Sequence, residues 1–208
     1  MHRNETKNKV TIGFMVLCCL VTIPGIFSRQ YFELFNSELP HEFWWQKVTM
    51  PFQHGASGKP LAILGHWLLN MIILFNCGKI VENLIGSTRL LILSVVAWFT
   101  FYITCQISGI WINGSSGIIW SYSPVLLVPL KWAKEDNRYN ALANRCRGLL
   151  VIMWGVVTVA MGFIPFLFNP NHTMLHVFFF GNLFHFVAVM TGFGFYFLWH
   201  HSGKKPFG

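Results

Sequence analysis

The chain has 208 residues, of which 54% are hydrophobic, 17% are aromatic and 11% are charged. Soluble domains contain about 25% charged residues on average, so this composition excludes an ordinary soluble domain, and the abundance of apolar side chains excludes a disordered chain. The formal net charge is +8 at pH 7, but the basic residues are not clustered, so no nucleic-acid partner is expected. These values predict a single helical domain in a lipid bilayer.

Apolar segments recur along the whole chain. A helix needs about 20 mostly apolar residues to cross a bilayer, and the candidate spans are Val10–Ser28, Leu61–Gly78, Leu90–Ile107, Gly117–Leu130, Leu149–Phe168 and Met174–Trp199. The fourth of these six is short. The expected loops are 29–60, 79–89, 108–116, 131–148 and 169–173, and the expected tails are 1–9 and 200–208, on either side of a membrane domain at 10–199.

The distribution of Lys and Arg predicts the orientation of these spans. Six spans place 12 of the 15 basic residues on one side of the membrane and leave three on the other, namely Arg29, Lys47 and Lys59. Because cytoplasmic loops are enriched in basic residues, both termini are expected in the cytoplasm.

The outer loop at 29–60 is the longest and is rich in aromatic residues. It contains Phe43, Trp44, Trp45 and Phe52 and few charges. Tryptophan is enriched at the membrane–water boundary, so this loop is expected to lie in the interface as an amphipathic element. An ordinary extracellular loop would explain the same composition.

The cysteines predict no metal site. Five are present and none belongs to a CxxC pair, which favours neither a zinc site nor a disulfide framework. Four of them lie in apolar segments, where buried thiols are common. We expect neither a metal nor a cofactor.

Strongly polar residues inside a membrane are costly and are therefore candidates for function. They lie on the even-numbered spans, with His66 and Asn70 on the second, Ser116 at the start of the fourth and His185 on the sixth. At 1.5 Å per residue, Ser116 and His185 lie about 22 Å above the cytoplasmic edge and His66 about 20 Å above it. Asn70 shares a helix face with His66 because they are four residues apart. All four side chains are expected in one layer.

This layer suits nucleophilic catalysis. A serine hydroxyl needs a base to take its proton, and histidine is the usual base, so Ser116 and His185 are predicted to form a dyad. No acidic residue lies at this depth to complete a triad. The side chains of His66 and Asn70 are suitable donors for a developing negative oxygen, together with the free backbone N–H groups at the start of the fourth span.

Small residues accompany the predicted dyad. Gly114 and Gly117 flank the serine and permit a close approach of the loop. Ala188 and Gly192 follow the histidine at i+3 and i+7, and form a small face that permits tight packing of the sixth span on the fourth. Such packing is needed to bring the two side chains within about 3 Å.

Each residue also has a structural interpretation. Ser116 is suited to cap a helix, His185 to pack as a buried histidine, and His66 with Asn70 to hydrogen bond between helices. Their shared depth favours the catalytic interpretation. Structural or solvated roles near the outer interface are expected for His54, His172 and His176.

Two motifs resemble those of the rhomboid intramembrane serine proteases. Gly114-Ser115-Ser116-Gly117 is similar to the GxSG active-site segment of that family, and His66-Trp67-Leu68-Leu69-Asn70 is similar to its HxxxN motif. Weaker likenesses are Trp45-Gln46-Lys47-Val48-Thr49 in the first loop, Glu82-x-x-x-Gly86 at the end of the second span, and His185 with Ala188 and Gly192 on the sixth. The likeness covers roughly residues 44–199.

The resemblance implies a fold, an activity and a set of roles. The fold would be a six-helix rhomboid-like bundle of the minimal bacterial form, in the inner cell membrane. Ser116 would be the nucleophile, His185 the general base, and His66, Asn70 and the Ser116 backbone the oxyanion hole. The substrates would be membrane-spanning helices that contain helix-destabilising residues, and they would be cleaved in or near the bilayer.

Several positions differ from the usual pattern of that family. Gln46 stands in place of an arginine, Phe184 in place of an alanine before the histidine, and Ala188 in place of a glycine. Trp120 replaces a tyrosine one turn after the serine, and it is still expected to stack on the histidine ring. Pro124 is expected to kink the fourth span.

Other functions fit part of the pattern. A catalytically silent rhomboid-like protein would bind membrane helices without cleaving them. A haem-binding membrane protein would use His66 and His185 as axial ligands, but this leaves the Gly-Ser-Ser-Gly segment unexplained. A transporter is disfavoured because the chain shows neither an internal repeat nor a buried acidic residue.

Overall fold

A computed structural model describes residues 8–38, 43–55, 59–127, 137–158 and 174–201. Within these ranges the chain is helical and contains no strand, as the sequence predicts. The helices are α1 (Lys9–Phe27), α2 (Arg29–Phe35), α3 (Trp44–Thr49), α4 (Pro60–Ile73), α5 (Lys79–Ile85), α6 (Ser87–Ser108), α7 (Ser116–Ser121), α8 (Ser123–Leu127), α9 (Asn137–Thr158) and α10 (Met174–His201). A π-helical turn at Leu74–Gly78 joins α4 to α5.

Four helical segments are long and apolar enough to cross a membrane. They are Lys9–Phe27, Pro60–Ile85, Ser87–Ser108 and Asn182–Trp199, and they correspond to the first, second, third and sixth predicted spans. Large apolar side chains such as Leu20 and Phe99 are exposed on them, which is the pattern of helices surrounded by lipid rather than water. The chain therefore has the character of a membrane protein. The arrangement of six spans and their orientation remain predictions.

The fourth and fifth predicted spans differ from expectation. The fourth is two short helices, α7 and α8, with Tyr122 between them. Pro124 lies in the first turn of α8, where a missing N–H is tolerated, so the expected kink is an interruption of the helix. Helix α9 begins at Asn137, inside the predicted loop 131–148. The predicted end of the fifth span lies outside the described residues, as does the loop 169–173.

The predicted loop at 79–89 is mostly helical. Helix α5 continues to Ile85, and the N–H of Gly86 donates to the Glu82 carbonyl at 2.8 Å. Gly86 has a φ of 84°, which a residue with a side chain adopts only with strain. The chain therefore turns at this glycine directly from α5 into α6.

Glu82 holds the start of α1. Its carboxylate is fully buried and accepts hydrogen bonds from the N–H groups of Val10 (3.0 Å) and Thr11 (2.9 Å) and from the hydroxyls of Thr11 (2.7 Å) and Ser87 (2.7 Å). The first N–H groups of a helix lack intrahelical partners and carry partial positive charge. A carboxylate from α5 satisfies them and links α1 to the α5–α6 turn, so Glu82 has a structural role. The expectation that no acidic residue is buried is therefore wrong.

The first loop is organised by α2 and α3. Gln46 Oε1 accepts the N–H of Phe43 (3.2 Å), and Gln46 Nε2 donates to the carbonyl of Glu33 (3.1 Å). Gln46 therefore joins the start of α3 to the end of α2. The indole of Trp44 is exposed, which suits the proposed position of this loop in the interface; that position remains a prediction.

Helix α10 packs against α6, α7 and α8. A Cβ built on Gly192 would overlap the carbonyl oxygen of Ser121 and lie 2.9 Å from Pro124 Cδ. Ala188, one turn earlier, is buried. The small face predicted on the sixth span therefore lies where α10 meets the interrupted helix α7–α8.

Candidate active site

The loop between α6 and α7 is held from several directions before it reaches Ser116. The N–H of Gly114 donates to the Met50 carbonyl at 2.9 Å, and Gly114 has a φ of 128°. Asn113 Oδ1 accepts the hydroxyl (2.8 Å) and the N–H (3.2 Å) of Ser37, and Asn113 Nδ2 donates to Asn36. The first loop therefore fixes the chain that leads into α7.

Ser116 and His185 are in hydrogen-bond contact. Ser116 Oγ lies 3.1 Å from His185 Nε2, with the serine at the first position of α7 and the histidine on α10. His185 is 6% exposed and Ser116 is half-buried. The hydroxyl is therefore paired with a base, which is the geometry that the sequence predicts for this pair.

The histidine has no orienting partner at its other nitrogen. His185 Nδ1 is buried and makes no hydrogen bond within the described part of the chain. The Trp120 ring lies against it with centroids 5.6 Å apart and planes tilted by 45°. The expected aromatic contact exists, but it is tilted rather than stacked. Because no acceptor faces Nδ1, Ser116 and His185 form a dyad rather than a triad among the described residues.

His66 presents a ring N–H toward the serine. Its Nδ1 accepts the N–H of Gly55 at 3.1 Å, and this assigns the ring proton to Nε2. A Cβ placed on Gly114 would lie 3.1 Å from His66 Nε2 and 3.8 Å from Ser116 Oγ. The Nε2–H group therefore faces the same small volume as the serine hydroxyl, and a side chain at Gly114 would fill that volume.

Asn70 is buried one turn below His66. Its Nδ2 donates to the carbonyl of His66 at 2.9 Å. This bond uses one of the two amide protons and leaves the second available, while Asn70 Oδ1 is buried without a partner in the described structure. The side chain has unused hydrogen-bonding capacity, as an oxyanion donor requires.

Gly117 faces a different neighbour from the one expected. A Cβ at this position would lie 3.1 Å from the Phe101 ring on α6, so this glycine permits close packing of α7 on α6 rather than close approach of the loop. Phe184 stands at the position where the resembling rhomboid segment usually has alanine. It is buried and meets the same Phe101 ring edge-on, with ring centroids 5.5 Å apart. The aromatic pair fills the space beside the dyad where α6 and α10 meet.

His54 is a member of the site that sequence reasoning missed. It was expected near the outer interface in a structural or solvated role, but it is fully buried. Its Nε2 lies 3.0 Å from Ser115 Oγ, and its ring meets the His66 ring with centroids 5.2 Å apart. Burial lowers the pKa of His54 well below its ordinary value, and neighbouring His66 lowers it further. A lone loop histidine has no periodic pattern that predicts such a contact.

The other predicted candidates are placed as follows. His172 and the side chain of His176 lie outside the described residues. Of the two histidines considered as haem ligands, His66 contacts Gly55 through Nδ1 and His185 contacts Ser116 through Nε2; ligation of a haem by this pair stays a prediction. No group of three or more His, Cys, Asp or Glu residues in the described part of the chain is arranged to hold a metal ion.

The sequence matches no protein-family model.

Proposed function

We propose that this chain is an intramembrane serine endopeptidase of the rhomboid-like type, which cleaves transmembrane segments of other membrane proteins. The observation that carries the proposal is the 3.1 Å hydrogen bond between Ser116 Oγ and His185 Nε2. It joins two polar side chains 69 positions apart. The helices around them expose mainly apolar side chains.

The reaction would proceed through an acyl-enzyme. Ser116 Oγ attacks the carbonyl carbon of the scissile peptide bond while His185 Nε2 takes the hydroxyl proton. The C–N bond then breaks, and the imidazolium returns this proton to the leaving amine. A water molecule, deprotonated by the same imidazole, hydrolyses the ester and regenerates the free hydroxyl.

The negative oxygen of the tetrahedral intermediate needs donors that are already in position. His66 Nε2–H faces the volume beside the serine, and the N–H of Ser116 at the start of α7 has no partner within its own helix. The second amide proton of Asn70 is available to donate to the same oxygen. Loss of one oxyanion donor typically costs about 10²–10³ in rate.

The proposed substrates are the membrane-spanning helices with helix-destabilising residues that the resemblance to the rhomboid proteases implies. Membrane-spanning substrates are helical because lipid offers no partners for backbone groups. A peptide bond within such a helix is shielded until the helix unwinds locally. Segments with helix-destabilising residues such as glycine or proline would unwind at the least cost.

A second candidate is a catalytically silent protein that binds membrane helices. The observation that favours it is the buried Nδ1 of His185, which has no acceptor in the described structure. An imidazolium would gain no stabilisation from such an acceptor, so the base would be weaker than in a triad.

The test is labelling by a fluorophosphonate probe, followed by cleavage of a model transmembrane substrate in proteoliposomes. Wild type should be labelled and should cleave, whereas Ser116→Ala and His185→Ala should do neither while remaining folded. Ser108→Ala removes a serine at the end of α6 and should behave as wild type. Labelling of Ser116→Ala equal to that of wild type would contradict the protease, and substrate binding without cleavage by wild type would favour the silent binder.

A further inference from the structure

Two neighbouring serines each contact a histidine. Ser116 meets His185, and Ser115 Oγ lies 3.0 Å from His54 Nε2. The two pairs differ in access, because Ser115 and His54 are both fully buried while Ser116 is half-buried. A substrate carbonyl cannot reach the buried pair, so Ser115 and His54 have a different role from the dyad.

The contacts of His54 require one tautomer. Its Nε2 faces the N–H of Ser115 at 3.3 Å as well as the hydroxyl, and a backbone N–H can only donate. Its Nδ1 faces the carbonyl of Phe52 at 3.2 Å, and a carbonyl can only accept. The proton must therefore be on Nδ1 and the lone pair on Nε2. Thr22 Oγ1, which donates to the same carbonyl at 2.8 Å, lies 3.1 Å from Nδ1.

The chain segment that contains His54 also contacts His66, the predicted oxyanion donor. Gly55, the residue after His54, donates its N–H to His66 Nδ1. The segment Phe52–Gly55 therefore contacts the residue before the predicted nucleophile and the predicted oxyanion donor. Through Thr22 this segment is linked to α1.

We infer that His54 is a positioning residue for the predicted nucleophile: by accepting the N–H and O–H of Ser115 at one nitrogen, it fixes the peptide that precedes Ser116. This inference rests on the proposed function. The side chain of Ser115 makes no capping bond to α7, and its hydroxyl proton is available for His54 Nε2 at 3.0 Å. Without that link, the nearest hydrogen bonds that hold the chain in front of Ser116 would be those of Gly114 to Met50 and of Asn113 to Ser37, one and two residues further from the nucleophile.

Two variants of His54 separate the effect of its hydrogen bond to Ser115 from the effect of losing the imidazole ring. His54→Gln keeps an acceptor at about the place of Nε2, whereas His54→Asn has the same amide but is shorter by one methylene and cannot reach Ser115. We expect His54→Gln to label with the fluorophosphonate probe within about threefold of wild type. We expect His54→Asn to label about 10- to 100-fold more slowly, because a displacement on the order of 1 Å at a reacting group has that effect.

The kinetic pattern distinguishes positioning from general loss of structure. In His54→Asn the kcat for the model substrate should fall with KM unchanged, and adding Ser115→Ala to it should slow labelling no further. Equal rates for His54→Asn and wild type, or equal losses in His54→Asn and His54→Gln, would overturn the inference.

A measurement on the unaltered protein does not depend on activity. Nitrogen NMR of isotope-labelled histidine should show a signal of the Nδ1–H tautomer, besides the one expected for His185, that disappears in His54→Gln. An Nε2–H tautomer for that signal would overturn the inference whatever the labelling rates of the variants. If Ser116→Ala were labelled like wild type while this tautomer was observed, the proposed function would fail and the geometry of His54 would stand.

Discussion

His185 lies on α10, and the absence of a side chain at Gly192 lets this helix pack closely against α7 and α8. His185 lies seven residues before Gly192 on the same helix face, about 10 Å away. In Gly192→Ala the new methyl group would overlap the Ser121 carbonyl oxygen and approach Pro124 Cδ to 2.9 Å. Neither a backbone carbonyl nor a proline ring can rotate away, so α10 must shift by roughly 1 Å. Overpacking of this kind costs about 1–3 kcal/mol, and such a displacement lowers the rate by about 10²-fold.

Gly194→Ala is the matched control, because nothing lies within 4 Å of a Cβ at that position. Both substitutions replace glycine by alanine in the same helix and gain the same helix propensity. Labelling of Ser116 by the fluorophosphonate probe and the midpoint of thermal unfolding in detergent would be measured for both. We expect slow labelling and a lower midpoint for Gly192→Ala, and wild-type values for Gly194→Ala. Identical behaviour of the two variants would refute this account of the helix contact.

Glu82→Ala should lower the free energy of unfolding by about 3 kcal/mol, because it leaves buried N–H and hydroxyl donors unpaired. Glu33→Ala, which removes only the exposed pair with Arg29, should change it by less than about 0.5 kcal/mol; equal losses in denaturant titration would contradict this role of Glu82. Burial raises the pKa of Glu38 from 4.5 to about 7, so folding favours its protonated form and wild-type stability should fall relative to Glu38→Gln as pH rises from 5 to 8. A difference in unfolding midpoint that is constant over this range would show that Glu38 does not titrate in this way.

The order of the apolar helices could be predicted from the sequence because membrane crossing depends on local hydropathy. Helix α1, the α4–α5 segment, α6 and the second half of α10 each consist of a continuous apolar segment, and each is found as a helix near the expected place. The contact between Ser116 and His185 was also predictable in part, since counting residues along two helices gives their relative depth.

The apolar pattern did not predict where two of the helices begin. The fourth predicted span is interrupted before Ser123, with Pro124 in the first turn of the new helix α8, and α9 begins at Asn137 although its first turns are polar. The apolar pattern indicates where a helix can be inserted in lipid, but it does not indicate where the helix begins.

By itself the sequence determined the apolar helices and the positions of the polar residues along them, because each depends on residues close together in the chain. Only the tertiary structure decided which partners those residues have. Glu82 meets the start of α1, Gly55 sets the tautomer of His66, and His54 meets Ser115 across 61 positions. These contacts depend on how the helices pack, and a buried donor or acceptor is satisfied by whichever group the fold brings to it.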